Sequence, residues 1–285
     1  MLHVIEHTLL DTIKLVPFLF ITYLVMEFLE HKAGEKTLAF VKKSGKLGPV
    51  IGSLFGALPQ CGFSAAASNF YAGRVITMGT LIAIFLSTSD EMLPILIAQS
   101  VDVKVIAKIL ALKIVIGMAA GFLIDFMFPA KKEEYGHDHI HEMCEHDHCN
   151  CQKGESIWKS ALIHTLKITF FLLIITFVLN AFLEFVGEEV LATLILNKPV
   201  IGPILASIVG LIPNCASSVV LTTLYLEGAL SFGAMMAGLL VNSGVGVLVL
   251  FKSNTNRKEN INIIGCLFVI GAMAGIIMEV MQITM

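Results

Sequence analysis

Long apolar blocks alternate with short polar connections along the chain, and in four places polar residues fall inside a block instead of between blocks. In the first half the apolar stretches cover 13–29, 47–73, 75–98 and 106–128; in the second they cover 157–183, 200–226, 229–251 and 261–283. About twenty apolar residues span a bilayer core as a helix, so every stretch is long enough to cross. The pattern predicts an all-α polytopic membrane protein built from two structural repeats.

The repeat is legible residue by residue. Gly48 and Gly202 are 154 positions apart, and the same offset, without a gap, pairs Pro49 with Pro203, Gly56 with Gly210, Pro59 with Pro213, Cys61 with Cys215, Ser64 with Ser218, Tyr71 with Tyr225 and Ser89 with Ser243. It also pairs Glu30 with Glu184, Gly117 with Gly271, Gly121 with Gly275 and Asp125 with Glu279. Shared apolar composition aligns leucines and valines; it does not align glycine, proline, cysteine and acids.

The interior polar positions recur with the repeat. Pro59-Gln60-Cys61-Gly62-Phe63-Ser64 and Pro213-Asn214-Cys215-Ala216-Ser217-Ser218 each interrupt the second stretch of a half. Proline removes a helical hydrogen bond. Irregular backbone survives at membrane depth only where it is buried or lines a cavity. The arms on either side of the first motif, 47–58 and 63–73, are about 18 and 16 Å long as helices, so each reaches the middle of a ~30 Å core. The third stretches are interrupted too, by Ser87-Thr88-Ser89-Asp90-Glu91 and by Asn242-Ser243-Gly244. Each half therefore supplies a re-entrant hairpin, or broken helices, and a broken span whose polar breaks meet at mid-membrane.

Charge placement sets the topology. The linker after the first stretch carries Lys32, Lys36, Lys42, Lys43 and Lys46; its repeat partner carries Glu188, Glu189 and Lys198. The positive-inside rule puts the first linker in the cytoplasm and the second outside, which makes the repeats inverted. Inversion needs an odd number of crossings per half, met by three spans plus a hairpin or by five crossings; four simple spans per half rank second. The expected organisation is a membrane repeat over 1–130, a cytoplasmic loop over 131–156 and a second membrane repeat over 157–285, in the plasma (inner) membrane with the N-terminus external. The chain is 56% hydrophobic and 14% charged, against about 25% charged in a soluble domain. No basic face or nucleic-acid motif is present, so nucleic acid is not an expected partner.

Paired breaks in two chain halves point to a transporter's binding site. Its expected lining is Gln60, Cys61, Ser64, Ser89, Asp90, Glu91, Asn214, Cys215, Ser217, Ser218, Asn242 and Ser243. Asp90 and Glu91 stand near the centre of a span, where an acid is functional by default and can trade a proton for a cation; the plainer alternative is an ion pair with Lys113 or Lys167. Cys61 and Cys215 precede expected helix starts capped by Ser64 or by Ser217 and Ser218, and a helix N-terminus favours thiolate. Thiolates select soft ions and metalloids, whereas carboxylates and amides suit hard ions such as Mn²⁺. Packing alone would also accommodate both cysteines, and Gln60 and Asn214 could serve only to brace the broken backbone. Glu27, Glu30, Glu184, Asp125 and Glu279 fall near span ends and read as interfacial. Gly117/Gly121 and Gly271/Gly275 have the small-xxx-small spacing of close helix packing.

The polar loop holds His137, His139, His141, Cys144, His146, His148, Cys149 and Cys151. Imidazole and thiolate are transition-metal ligands, but the irregular spacing is not that of a zinc finger. The loop reads as a loose metal collector or sensor, or as a solvated acidic linker.

These motifs in repeated halves, with the His-rich central loop, resemble the ten-helix heavy-metal exporter permeases, a family whose members go by arsenic-efflux protein or manganese transporter. The resemblance spans nearly the whole chain and implies export, with manganese and arsenic as candidate cargo. The expected function is secondary transport, a heavy-metal cation (Mn²⁺ first) leaving by proton-coupled alternating access. The alternatives are an arsenite or metalloid permease using Cys61 and Cys215, a membrane thiol oxidoreductase with the same pair, and a passive channel. No P-loop is present to drive transport with ATP. No enzyme activity and no cofactor is expected; the partners are the transported ion or metalloid, the lipid bilayer and, compatibly, further copies of the chain.

Overall fold

The computed structural model describes residues 47–58, 61–89, 91–128, 157–186 and 200–283, with single helical positions between 9 and 25. All regular elements among them are helices: α1 (Gly48–Gly56), α2 (Cys61–Ala72), α3 (Met78–Ser87), α4 (Met92–Ala98), α5 (Val103–Met127), α6 (Ile157–Val186), α7 (Ile201–Gly210), α8 (Cys215–Leu226), α9 (Phe232–Val241), α10 (Gly246–Ser253) and α11 (Arg257–Val280). Among the described residues five stretches are long and apolar enough to cross a membrane: Met78–Ala98, Val103–Met127, Ala161–Val178, Phe232–Ser253 and Arg257–Val280. Two of these are the expected broken spans, α3 with α4 and α9 with α10.

The 154-residue offset carries over to helix boundaries. It maps both ends of α2 onto α8 and both ends of α3 onto α9, and the N-caps Thr77 and Ser231 correspond. Both caps are extended and accept a bond from the third residue on, Thr80 N at 3.1 Å and Ala234 N at 3.2 Å. Such a bond satisfies an N–H that has no partner inside the helix.

Asp125 reinforces the first cap. Its Oδ1 accepts from Gly79 N and its Oδ2 from Thr77 Oγ1, both at 2.8 Å. The expected interfacial acid is thus a helix-end clamp, half-buried against the positive end of α3. Glu279 lies against the matching Gly233, where an added Cβ would come within 2.5 Å of its Oε2.

The chain doubles back at each proline motif. Gly48 lies against Thr80, Gly52 against Thr80 and Ile84, and Gly56 against Ser87, so α1 runs parallel to α3 and ends level with its break. Only a short turn separates the end of α2 from the Thr77 cap, which returns the chain to the level where α1 began. In the second half Ser217 of α8 bonds Asn242 at the end of α9, and Tyr225 meets Phe232 at its start with ring centroids 5.9 Å apart. α8 is therefore antiparallel to α9.

The breaks have local causes. Pro94 lacks the N–H that would reach back to residue 90, so it fits the first turn of α4 and opposes a continuous helix through the break. Ser87 and Thr88 hydroxyls donate to Ala83 O and Ile84 O, each at 2.8 Å, taking carbonyls in the last turn of α3. In the second half Asn242 Oδ1 accepts from Gly244 N at 2.8 Å and Gly244 is left-handed at φ +53, which turns the chain out of α9.

Small residues set the packing. α5 runs antiparallel to α3 and α11 to α9 through the expected glycine pairs: a Cβ on Gly79 would lie 2.1 Å from Gly121 O, and one on Gly275 would lie 2.6 Å from Gly233 O. Every residue of α9 is buried, while α5, α6 and α11 expose apolar faces such as Phe126, Phe170 and Met273. The broken spans thus form the centre, and the long helices present the apolar rim that lipid requires. A second core joins Leu19 and Tyr23 to Ala161, Ile168 and Leu172 of α6, Ala65 of α2, and Val245 and Val249 beside and in α10.

Gly79→Val and Gly121→Val are each expected to cost about 3 kcal/mol or more, because backbone rather than a side-chain tip blocks the new atoms. Gly265, with nothing within 4 Å of an added Cβ, is the control position, and its valine variant should stay within about 0.5 kcal/mol. Thermal unfolding of the three purified variants checks this; equal stability for all three contradicts the packing.

Candidate functional site

The breaks lie against residues in and beside the arms of the two hairpins. Ser89, buried between α3 and α4, donates to Ala57 O at 2.7 Å and so ties the first break to the first hairpin. Asn242 Nδ2 donates to Ser217 Oγ at 3.2 Å and ties the second break to the second hairpin. The halves then interlock, because Ser68 Oγ donates to Gly246 O at 2.7 Å and a Cβ on Gly246 would lie 2.9 Å from Ser64 Cβ.

Of the expected lining, Ser64, Ser89, Asn214, Ser217, Ser218, Asn242 and Ser243 are buried, and Glu91 and Cys215 are half-buried. Gln60, Asp90 and the side chain of Cys61 lie outside the described residues, as do Glu27, Glu30, the side chain of Glu184 and the whole His/Cys loop from His137 to Cys151. Among the described residues no three His, Cys, Asp or Glu side chains gather into a metal-holding group.

The expected caps need a correction. The N-cap of α8 is Asn214, whose Oδ1 accepts from Ala216 N at 3.5 Å. Ser217 and Ser218 sit inside the helix and donate backwards, Ser217 Oγ to Asn214 O and Ser218 Oγ to Cys215 O, each at 2.7 Å. Asn214 wins because its extended backbone lets the amide oxygen turn onto the first free N–H groups. Cys215 and Cys61 are the first residues of their helices.

Three features go beyond the motif reading. A file of polar positions runs along each returning arm, at Cys61, Ser64, Ser68 and Tyr71 on α2 and at Cys215, Ser218, Thr222 and Tyr225 on α8. Their i, i+3, i+7, i+10 spacing, repeated at the 154 offset, was the available signal. A second polar group lies apart from the centre: Asn69 Oδ1 accepts from Ser253 Oγ at 2.7 Å and Tyr23 OH at 3.3 Å, and Tyr23 stacks on the buried His164. The third is Lys113, fully buried in mid-α5, whose Nζ donates to the carbonyls of Thr88 and Leu239. It thus stands at the breaks rather than beside them. Lys167, the other candidate ion-pair partner, is exposed on α6.

The described centre offers hydroxyl, amide and carbonyl oxygen, one thiol at a helix start, one half-buried carboxylate and one ammonium. Such a set can replace the hydration shell of a small ion. An all-helical multi-pass membrane protein with a polar centre built from helix breaks is the architectural class of the transporters. The family model described as "Putative, 10TM heavy-metal exporter" matches residues 3–202 and 171–284, and the chain belongs to that family. No curated protein and no solved structure matches the chain.

Proposed function

We propose that the protein is a secondary transporter that moves a heavy-metal cation, Mn²⁺ first, out of the cell through the central breaks, by alternating access driven by protons. The observation that carries this reading is the contact of each broken span with its own hairpin and of the first hairpin with the second break, with seven of the expected polar side chains buried. Polar groups are retained at membrane depth where an ion passes.

We read the repeats as inverted. Arg74, just before α3, bonds Glu259 in the first turn of α11, so α3 and α11 start on the same side. α5, the repeat partner of α11, runs antiparallel to α3 and starts on the other side. Arg74, Lys252, Arg257 and Lys258 gather on the first side, against Lys104 and Lys108 on the other, so the first side is read as cytoplasmic. The loop that follows α5 leaves from that side, and its His and Cys residues would collect ions before they enter. Metalloid efflux is the second reading, favoured by Cys215 at the first position of α8.

Growth and ion accumulation with Mn²⁺, Zn²⁺, Co²⁺, Fe²⁺, Cd²⁺ and arsenite test the proposal. Cells expressing the protein should tolerate one of these better and hold less of it. Unchanged tolerance and content for every ion, with the protein confirmed in the membrane, would falsify the exporter reading.

A further inference from the structure

Asn69 carries an unmet donor where the two halves of the chain meet. The residue is fully buried on α2. Its Oδ1 accepts from Ser253 Oγ at 2.7 Å and from Tyr23 OH at 3.3 Å, while its Nδ2 has no hydrogen-bond partner. Thr169 Oγ1 and Ser207 Oγ are also buried without a partner, but a helical hydroxyl can rotate onto the carbonyl one turn back. The Asn69 amide is pinned through its oxygen to two neighbours and cannot. A buried donor left unpaired costs its whole desolvation, and native proteins meet that cost with a protein partner or an ordered water.

The surroundings do not explain the amide by packing. Tyr23 belongs to an apolar core with Leu19, Ala65, Ala161 and Val249, and it stacks on His164 with ring centroids 5.2 Å apart. At the 154 offset, Tyr23, Asn69, His164 and Ser253 correspond to Phe177, Thr223, Leu10 and Gln99. The duplication therefore fills three of these four places with Phe, Thr and Leu, and the polar group belongs to one side of the molecule. Polar side chains retained at membrane depth mark a functional path.

We infer that Asn69 Nδ2 holds a buried water, and that this water is one link of a hydrated seam between α2 and α10 that reaches the central breaks. Water is the ligand the chemistry selects. It both donates and accepts, so it satisfies the amide whichever way the amide is turned. An ion would need a charge partner, and the groups bonded to the amide, Tyr23 and Ser253, are neutral. Inward from Asn69, Ser68 Oγ donates to Gly246 O at 2.7 Å and to Ser64 O at 2.9 Å, so polar groups follow the seam to the start of α10. Outward, the seam ends at Ser253, half-buried at the end of α10. Tyr71, two positions after Asn69, lies about 200° further around α2 and faces Glu259. The seam thus passes on the other face of α2 from the Arg74–Glu259 contact, and water can exchange while that contact is closed. An ion trades its hydration shell for protein oxygen when it is seated; the water it sheds leaves by this seam. That role rests on the transport reading above, whereas the water site does not.

The test is X-ray radiolytic labelling of the full-length protein in lipid nanodiscs, where hydroxyl radicals made from a bound water modify the side chains beside it. Tyr23, 3% exposed, should be labelled well above Phe85, which is fully buried in the other core. Asn69→Leu removes the donor and should abolish most of the Tyr23 label; Asn69→Val is the second variant if leucine disturbs folding by circular dichroism and size exclusion. A Tyr23 label no greater than that of Phe85, or unchanged in the folded Asn69 variant, overturns the water site. After rapid mixing with oxygen-18 water, the oxygen added to Tyr23 should turn heavy more slowly in Ser253→Leu, which plugs the mouth of the seam, than in the native protein. Equal rates overturn the seam as the exchange route.

The role in transport has its own arm. Asn69→Leu should slow ion export in proteoliposomes severalfold, and an undiminished rate overturns the shed-water role. Labelling as expected, with no ion of the panel exported by the native protein, keeps the water site and rejects the exporter reading. Export with no label at Tyr23 does the reverse.

Discussion

Asp90→Asn and Glu91→Gln should each reduce coupled transport by about two orders of magnitude while the protein still inserts and folds. That is the scale of removing one partner from a buried charge interaction, about 3 kcal/mol. They are adjacent acids near a span centre, and their repeat partners are Gly244 and Val245, so charge enters the site from the first half alone. Glu91 stands half-buried at the head of α4, and the matching Gly244 needs its left-handed φ of +53 to form the turn. The second half can therefore offer Asn242, Ser243 and backbone oxygen, but no acid. A divalent cation gains neutralisation from such a site; neutral arsenious acid gains little. Uptake into proteoliposomes, repeated with Cys61→Ser plus Cys215→Ser, sorts the cargo. Dependence on the acids with tolerance of the serines identifies a hard cation such as Mn²⁺. Dependence on the thiols, with the acids affecting only the pH profile, identifies a soft ion or metalloid. Full transport despite all four substitutions would place the site elsewhere.

The features legible in the sequence were those that repeat or interrupt. The 154 offset located α2 against α8 and α3 against α9 because Gly, Pro and Cys stand at positions where an apolar residue could not replace them. The glycine pairs on α5 and α11 read correctly because helix approach depends on residue size alone. Local competition was harder to read. Asn214, Ser217 and Ser218 can all cap a helix, and only backbone geometry decides that Asn214 does. Pro94 carried a signal for the first break, since it removes one specific donor, but it lies beyond the polar run that draws attention. Asp125 looks interfacial on a single helix; its role depends on the Thr77 end of α3 being beside it. Lys113 was legible as the lysine nearest the middle of an apolar span, whereas its contact with Leu239 crosses between halves, which no pattern within one stretch reports.

Breaking the Arg74–Glu259 pair should open the side of the protein that the proposal reads as cytoplasmic. Arg74 is held at φ +55 just beyond α2, and its Nη2 lies 3.1 Å from both carboxylate oxygens of Glu259. Tyr71 OH donates to the same carboxylate at 3.2 Å and Asn254 Nδ2 at 3.3 Å, with the guanidinium over the Tyr71 ring. The network joins the hairpin of one half to the last helix of the other. At the repeat positions stand Gly228, which takes the left-handed turn at φ +75, and Val105, so an equivalent pair cannot form on the opposite side. A non-glycine residue in that conformation costs about 1–2 kcal/mol, and the ion pair offsets this. With both partners mostly shielded from solvent, the pair should contribute about 1–2 kcal/mol, between the surface and buried limits. Under alternating access these contacts must part when that side opens, so Glu259→Gln shifts the equilibrium towards opening by about tenfold. Arg74→Gly, which removes the pair but also the strained turn, should match it without a comparable loss of stability. The readout is alkylation, from that side, of Ser68→Cys, a position buried on α2 one turn inside Tyr71: its rate should rise about tenfold in both backgrounds and no further when they are combined. Unchanged rates in both, or fully additive ones, would show that the pair merely fastens a helix end and does not gate the path.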